Sequence, residues 1–299
     1  MNTFTYFRIE KSTPTYIIST SNYVKHMELD RYRQGFIVYT DASALMIGDG
    51  TTTHLIAGNS VQRGYKEGVG AEARFYNIKG FAQISEKLIV VVDWGNHCMR
   101  LIDRTSDNTS LFSGQCKSRG YQDGRPGQFN SPRSVVIDQK NKNQLLITDR
   151  FNKAVRTVDV MSQDVGTFVK SDSLDSINSI TQEEKSGDLY VTTYVAVYRI
   201  TYTQRTISRI SGGSGYRDST LLDSLFYDPH ALIFIKPHTL LVADRGNNKL
   251  RLLDMKSDKV TTLHDSNSLS SPTSLLLTNN SLYVGQNMKI ILYKCEYIT

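Results

Sequence analysis

The sequence predicts an all-β protein, a six-bladed β-propeller of four-stranded blades whose ring closes by pairing the N- and C-terminal strands. Three observations support this fold class. A stretch of four short apolar runs recurs at intervals of roughly 50 residues, a period typical of propeller blades. The runs are rich in Val, Ile, Leu, Thr and Tyr, which favour strands. Long segments with helical periodicity and capping residues are absent from the sequence.

The strongest copies of the repeated unit lie at residues 88–114, 145–169 and 230–263. In each copy an apolar run ends in Asp, Asn follows three residues later, and Arg follows seven residues after the Asp. We interpret each Asp and Arg as an ion pair between neighbouring strands, and the Asn as a turn residue. These positions are Asp93, Asn96 and Arg100; Asp149, Asn152 and Arg156; and Asp244, Asn247 and Arg251.

Weaker copies lie at residues 31–58 and 188–212. The first carries Asp41 at the Asp position. The second has Thr193 there, with Arg199 nearly in register with the repeat Arg. These copies and the three strong ones make five complete units, and therefore predict five complete blades.

The two ends of the chain provide the sixth blade. Residues 271–295 stop after a third apolar run, and residues 1–20 resemble the second half of a unit. An outer strand at residues 15–19 would complete the blade and leave no unpaired edge. A surplus strand at residues 4–10 is consistent with an extra edge strand or with an excerpt from a longer chain. We expect one domain over residues 1–299, with ring-closing strands in 1–20 and blades in 21–299.

Three tracts, residues 64–75, 120–129 and 215–226, lead into the strong units. Each begins with Gly-Tyr and ends in Phe. We expect the Phe side chains to fill the gaps between blades, and the Gly residues to adopt positive φ at turns. The residues are Gly64, Gly120 and Gly215, with Phe75, Phe129 and Phe226.

The pattern G-Y-x-D-G…F-x-x-P, followed by apolar-Asp-x-x-Asn-x-x-apolar-Arg, resembles the NHL-repeat family of β-propellers. Residues 120–159 match it best, and the resemblance covers almost the whole chain. It implies the propeller fold. Because one fold hosts many activities, function has to be argued from the site.

Propellers generally bind at one end of the central channel, on the loops that start the innermost strands. In the repeat, this place is the residue after the Pro position. Several of these residues are basic and none is acidic, so we predict a non-enzymatic module that recognises a protein or an acidic glycan at a basic channel mouth. The alternative is that these side chains are simply solvated. The candidate binding residues are Lys79, Arg133, Asn178, His230 and Thr273.

Two other function classes remain open. NHL-like propellers include an amidating lyase that holds zinc with His from separate blades, and related propellers include calcium-dependent lactonases. Zinc catalysis needs about three protein ligands, whereas only His230 and His26 stand at suitable places. Lys79 and Arg133 would repel calcium. We therefore expect no catalytic residues, no metal and no cofactor, and keep a hydrolase or lyase acting in the channel as the first alternative.

The second alternative is an NHL domain that binds RNA. The pI of about 9.0 and the 17 Tyr residues are compatible with it. The net charge of +6, however, is spread along the chain, and Lys and Arg do not cluster in the loops of any one unit. RNA is therefore the less favoured partner.

The cysteines bear on the compartment. Cys98 is expected to begin the third strand of its unit and Cys116 to end the fourth, and both are about equally far from the turn at residues 105–108. They would face each other across the strand pair, which predicts a disulfide and an oxidising compartment. Two buried thiols are the alternative. Cys295 is left outside the pair.

Two N-glycosylation sequons, at Asn108 and Asn279, agree with an extracellular or secretory location. Both are expected in hairpin turns. A cytoplasmic location is the alternative. No apolar run approaches the roughly 18 residues that a membrane helix needs, so we expect no membrane insertion.

Overall fold

The protein is a β-propeller of six antiparallel blades arranged in a ring, as predicted. The computed structural model describes residues 6–9, 15–263 and 269–298. The innermost strand of each blade contacts the innermost strand of a neighbouring blade around the central channel, and the next strands of the chain follow it outward. Strands within a blade are counted from this innermost one. The first two strands of the chain, β1 (Tyr6–Ile9) and β2 (Thr15–Ser19), belong to blade 6.

The remaining strands follow in chain order. Blade 1 contains β3 (Met27–Leu29), β4 (Ile37–Asp41), β5 (Ala44–Gly48) and β6 (Thr53–Gly58). Blade 2 contains β8 (Ile78–Gln83), β9 (Leu88–Asp93), β10 (Cys98–Asp103) and β11 (Asn108–Ser113), and β7 (Gly68–Val69) is an additional outer segment that pairs with β11. Blade 3 contains β12 (Pro132–Ile137), β13 (Gln144–Asp149), β14 (Ala154–Asp159) and β15 (Val165–Lys170).

Blade 4 contains β16 (Ile180–Gln182), β17 (Leu189–Thr192), β18 (Ala196–Ile200) and β19 (Ile207–Gly212). Blade 5 contains β20 (Pro229–Lys236), β21 (Thr239–Asp244), β22 (Lys249–Asp254) and β23 (Lys259–Thr262). Blade 6 contains β24 (Ser274–Leu277), β25 (Ser281–Gln286) and β26 (Lys289–Ile298). Short 3-10 turns occur at Gly70–Glu72, Trp94–Asn96, Arg150–Asn152, Asp172–Leu174 and Arg245–Asn247.

The core lies between the blades. Strand β9 shows why its sequence is a continuous apolar run rather than an alternating one. Ile89 and Val91 pack toward blade 1, whereas Val90 and Val92 pack toward blade 3. Because successive side chains of a strand point to opposite faces, a strand covered on both faces needs apolar residues at every position.

The three Phe side chains fill the gaps between blades as expected. Phe75, Phe129 and Phe226 are fully buried, and Phe75 packs in a core cluster shared by blades 1 and 2. The expectation for the Gly residues holds at Gly215, with φ of 133°, and is wrong at Gly64 and Gly120, which do not adopt positive φ. A Cβ at Gly120 would meet the Gln128 side chain, which would have to move to make room for it.

Each strong unit contains a buried ion pair. Arg156 Nη1 donates to Asp149 Oδ2 at 2.9 Å, and both side chains are fully buried. The guanidinium lies 4.6 Å from the ring centre of Tyr121 and 5.4 Å from that of Phe129. The Asp244–Arg251 pair repeats the arrangement with a hydrogen bond of 2.8 Å, whereas Arg100 Nη1 lies 3.6 Å from Asp93 Oδ2, beyond hydrogen-bond distance.

Blade 4 departs from this arrangement. Arg199, which sequence alignment placed near the repeat Arg, donates instead to Asp188 Oδ2 at 2.8 Å, and its side chain is 46% exposed. Thr193 cannot supply the carboxylate that the buried guanidinium needs. The blade therefore substitutes a surface ion pair for a buried one.

Blade 6 closes the ring as predicted. One edge of β26 pairs with β25. Along the other edge, β2 pairs with its first half and β1 with its second half. The predicted surplus strand is thus an extra edge segment over Tyr6–Ile9, while residues 4, 5 and 10 of that prediction lie outside the described residues.

The predicted disulfide between Cys98 and Cys116 is present, with Cα atoms 5.0 Å apart. Cys98 begins β10, but Cys116 lies beyond β11 rather than at its end. A register shift between Met99 and Arg100 accompanies this offset. Across the described part of the chain, helices long and apolar enough to cross a membrane are not found.

Candidate functional site

The channel mouth is the end of the channel where the first strands of the blades begin. Because the blades are antiparallel, the turns between second and third strands lie at this same end. A cavity of about 270 Å³ occupies the channel. Its polar lining includes Lys25, His26, Lys79, Arg133, Asn178 and His230.

Hydrogen bonds at the mouth connect four blades. The Arg133 guanidinium, from β12, donates to Nε2 of His230. His230 Nδ1 in turn donates to the carbonyl oxygen of Thr273 at 3.1 Å, and the Thr273 hydroxyl donates to the carbonyl of Val24 at 2.6 Å. A guanidinium can donate hydrogen bonds but cannot accept them. Nε2 of His230 must therefore be the unprotonated nitrogen of the imidazole ring.

A second set of bonds fixes the blade 4 side of the mouth. Arg150 donates to Oδ1 of Asn178, and Asn178 Nδ2 donates to the Pro229 carbonyl at 3.0 Å and to Asp228 Oδ1 at 3.3 Å. Arg245 donates to the other carboxylate oxygen of Asp228. Both arginines occupy the turns after second strands, which point them to the mouth.

The two lysines have aromatic neighbours rather than carboxylates. Lys25 Nζ lies 4.4 Å from the ring centre of Tyr23, and Lys79 Nζ lies 5.3 Å from that of Trp94. Burial lowers the pKa of Lys25 to about 6, with further lowering by Lys79 and Arg133. Burial likewise lowers the pKa of Lys79 to about 7, followed by the effects of Arg133 and Arg245.

The same surroundings act on Arg133 and His230. Burial, followed by repulsion from Arg150, lowers the pKa of Arg133 to about 9, so the guanidinium stays charged at neutral pH. Burial and the neighbouring Arg133 bring the pKa of His230 well below its usual value, so the imidazole is neutral. The site therefore offers fixed hydrogen-bond donors and excess positive charge, a combination suited to an anion.

Four of the five predicted residues come together here: Lys79, Arg133, Asn178 and His230 line the cavity. Thr273 is fully buried, and it reaches the site through its carbonyl bond to His230. Whether these residues bind a ligand stays a prediction.

Sequence reasoning missed Lys25, Arg150 and Arg245. A signal existed for the two arginines, since Arg directly follows the repeat Asp in two of the three strong units. Lys25 gave no such signal because it precedes the first strand of a degenerate unit.

Both sequons lie on the face opposite the mouth. Asn279 is exposed in the turn between β24 and β25. Asn108 is exposed too, but it is the first residue of β11 and pairs with Val69 rather than lying within the turn. A glycan at either position would leave the mouth open.

Within the part of the chain that the structure describes, no group of three or more His, Cys, Asp or Glu side chains is placed to hold a metal ion. His26 Nε2 instead lies 3.3 Å from Glu28 Oε1. His230 is engaged on both ring nitrogens.

Comparison of the sequence with family models and with curated proteins gives no match. Solved structures do resemble the fold. An auxiliary nutrient binding protein from Bacteroides ovatus is 13% identical with a TM-score of 0.70, over 97% of this chain and 75% of that one. A gluconolactonase from Xanthomonas campestris is 9% identical with a TM-score of 0.68, over 97% and 91% of the two chains.

A catalytically inactive virginiamycin B lyase from Staphylococcus aureus, solved with quinupristin, is 13% identical with a TM-score of 0.63. The similarity covers 97% of this chain and 99% of the lyase. Identities this low show a shared β-propeller fold, on which binding proteins and enzymes both occur.

Proposed function

We propose that this chain is an NHL-type binding module that recognises an acidic ligand, either a protein or an acidic glycan, at the channel mouth and carries out no chemistry. The observation that carries the proposal is the concentration of basic side chains there. Among the described residues, five gather around the mouth, with Asp228 as the carboxylate in contact with them. They are Lys25, Lys79, Arg133, Arg150 and Arg245.

The position of these charges favours tight recognition. Lys25 and Lys79 form no ion pair among the residues described, although Asp228 acts on Lys25 electrostatically, so an incoming anion would relieve repulsion between the basic groups without displacing a carboxylate. In a recessed channel, charge interactions are also screened less by salt than on an open surface. Arg133 and Arg150 are held by their own hydrogen bonds, which reduces the entropy lost on binding.

The compartment we propose is extracellular. The disulfide between Cys98 and Cys116 supports it, since such bonds persist in oxidising environments. Glycosylation at the exposed Asn108 and Asn279 would agree with it. A cytoplasmic location, with RNA as partner, fits the disulfide less well.

An enzyme acting in the channel is the competing proposal, since a lyase and a gluconolactonase share the fold. The charge at the mouth argues against cation-dependent versions of it. Arg133 contacts His230 directly and would repel a metal ion there. A stoichiometric bound metal in the purified protein would favour the enzyme.

The experiment that tests the proposal compares Arg133→Gln with Lys87→Gln. Both remove one positive charge, but Lys87 is exposed in the turn between β8 and β9, on the face opposite the mouth. Binding of poly-L-glutamate and of polygalacturonate is measured by calorimetry at low salt, with neutral dextran as the negative probe.

We expect Arg133→Gln to weaken binding of at least one acidic probe by roughly 10- to 100-fold, the range for losing a charged hydrogen bond. Lys87→Gln should bind like the wild type. If neither acidic probe binds, or if a folded Arg133→Gln protein binds both normally, the proposal is wrong.

A further inference from the structure

Exposed aromatic rings lie beside the basic residues on the mouth face. Phe151 follows Arg150 in the turn after β13, and Tyr194 occupies the corresponding turn after β17. Tyr227 precedes Asp228 at the start of blade 5. Phe151 is 54% exposed, and Tyr194 and Tyr227 are each 43% exposed. We call these three side chains the aromatic rim.

Contacts within the protein hold two residues of the aromatic rim, Tyr194 and Tyr227, in fixed positions. The rings of Tyr194 and Tyr227 meet edge to face, with centres 5.6 Å apart. The Asp228 amide donates to the Tyr194 carbonyl at 2.8 Å, which holds the two loops together. Gly246 packs so closely against Tyr227 that a Cβ would collide with both its ring and its carbonyl oxygen. The pair is therefore fixed in position while one surface stays open to solvent.

Polar side chains connect the rim to the channel. Arg150 lies 5.8 Å from the Phe151 ring centre and donates to Asn178. Asn178 donates to Asp228, which lies next to Tyr227 in the chain. Asn178 is buried and both of its amide hydrogens are used, so a ligand that reaches from the cavity to the rim passes over the partly exposed Asp228 carboxylate, which can accept a hydrogen bond from a hydroxyl group.

These features describe three parts of one ligand: an anionic group for the channel, a hydroxyl for Asp228, and an apolar ring face for the aromatic rim. We infer that the ligand is an acidic oligosaccharide whose terminal uronate carboxylate enters the channel while a neighbouring sugar ring lies on Tyr194 and Tyr227. This inference rests on the proposed function and narrows its ligand to one class.

The geometry favours a saccharide over the other acidic macromolecules. Single-stranded nucleic acid is bound along a groove whose charges track its backbone, whereas here the cations converge on one cavity. Asp228 would repel phosphates that pass over it. A folded protein partner needs a broad contact area of about 800 Å² on each side, whereas Lys25, Lys79 and Arg133 are recessed within the channel.

The test measures binding of D-galacturonate, tetragalacturonate, a hyaluronan tetrasaccharide and the fully methyl-esterified tetragalacturonate by calorimetry. The variants are Tyr194→Ala combined with Tyr227→Ala, and Tyr32→Ala as the control. Tyr32 is 55% exposed but lies between β3 and β4, on the face opposite the mouth.

We expect at least one acidic tetrasaccharide to bind tenfold or more tightly than the monosaccharide, and the neutral ester to bind at least 100-fold more weakly than its acid. The double Tyr variant should lose the tenfold gain and keep the affinity for galacturonate. The control should match the wild type.

Two results would overturn the inference while leaving the proposed function standing. They are equal affinity for monomer and tetramers, and binding of poly-L-glutamate with no binding of either tetrasaccharide. Arg133-dependent binding of oligoadenylate in preference to both, or failure of every acidic probe, would instead overturn the proposed function itself.

Discussion

The Arg133 guanidinium donates a hydrogen bond to His230 and so joins side chains of blades 3 and 5 across the channel mouth. His230 can accept this bond because its other nitrogen donates to the Thr273 carbonyl. The neutral imidazole thus fixes the orientation of the Arg133 guanidinium at the channel mouth. Its depressed pKa keeps it neutral over the physiological pH range.

From this relationship we predict that His230→Ala weakens binding of an acidic ligand about tenfold, because Arg133 loses its fixed orientation. His230→Gln, which keeps an acceptor, should lose less. Calorimetric titration with the ligand that binds the wild type checks this. Equal losses in the two variants would show that the hydrogen bond to Arg133 does not matter for binding.

Binding should take up protons. In the unliganded protein the pKa values of Lys25 and Lys79 are lowered to about 6 and 7, so most of each lysine is neutral at pH 7.5. A bound anion favours the ammonium forms and raises both pKa values. Affinity should therefore be level below about pH 5, where both groups are already protonated in the free protein, and fall as pH rises through 6 and 7.

The measurement is the binding enthalpy at pH 7.5 in buffers of different ionisation enthalpy, whose slope gives the protons taken up. Lys79→Met should reduce that slope, and Lys87→Met should not. A zero slope in the wild type would contradict the assignment of these lysines to the site.

The buried and exposed arginine pairs give a matched test of stability. Arg156→Met leaves the buried carboxylate of Asp149 without its partner, and we expect a loss of about 3–5 kcal/mol. Arg199→Met removes a partly exposed pair with Asp188, for which we expect a loss below about 1 kcal/mol. Urea unfolding of the two variants compares them directly. Similar losses of unfolding free energy in the two variants would show that the buried pair of blade 3 does not stabilise the protein more than the exposed pair of blade 4.

Removing the disulfide should also destabilise the protein. The bond closes a loop with a sequence separation of 18, for which the chain-entropy model gives about 3 kcal/mol. We expect Cys98→Ala combined with Cys116→Ala to unfold at a lower temperature than the wild type. A reducing agent should lower the melting temperature of the wild type and leave that of the double variant unchanged. If the reducing agent lowered the melting temperature of the wild type and of the double variant equally, the Cys98–Cys116 disulfide would not be the bond that it breaks.

The architecture was predictable because each blade repeats the same chemistry. The Asp, Asn and Arg positions marked the turn and the buried pair of each strong unit, and apolar runs marked strands covered on both faces. Blade 4 was harder to describe, since Thr193 stands at the Asp position and Arg199 finds Asp188 instead. The local alignment could not show which carboxylate the arginine would meet.

The site was predictable only in part, for a reason of geometry. Lys79, Arg133 and His230 could be predicted because they lie where inner strands begin, a position that the repeat marks in the sequence. Arg150 and Arg245 belong to other turns, and only the antiparallel pairing of strands brings those turns to the same end of the channel. The aromatic rim likewise depends on packing between successive blades, as the contact of Tyr194 with Tyr227 shows.

The pairing of β2 with β26 joins Ser19 to Lys289, which has a consequence during synthesis on the ribosome. The outer strand β2 is translated before blades 1 to 5, whereas its partner β26 is translated after them. Each of the other blades can form as its own strands appear, while β2 waits with an open edge that could recruit a strand from another nascent chain. A chaperone that holds β2 until β26 has emerged would therefore increase the yield of closed rings.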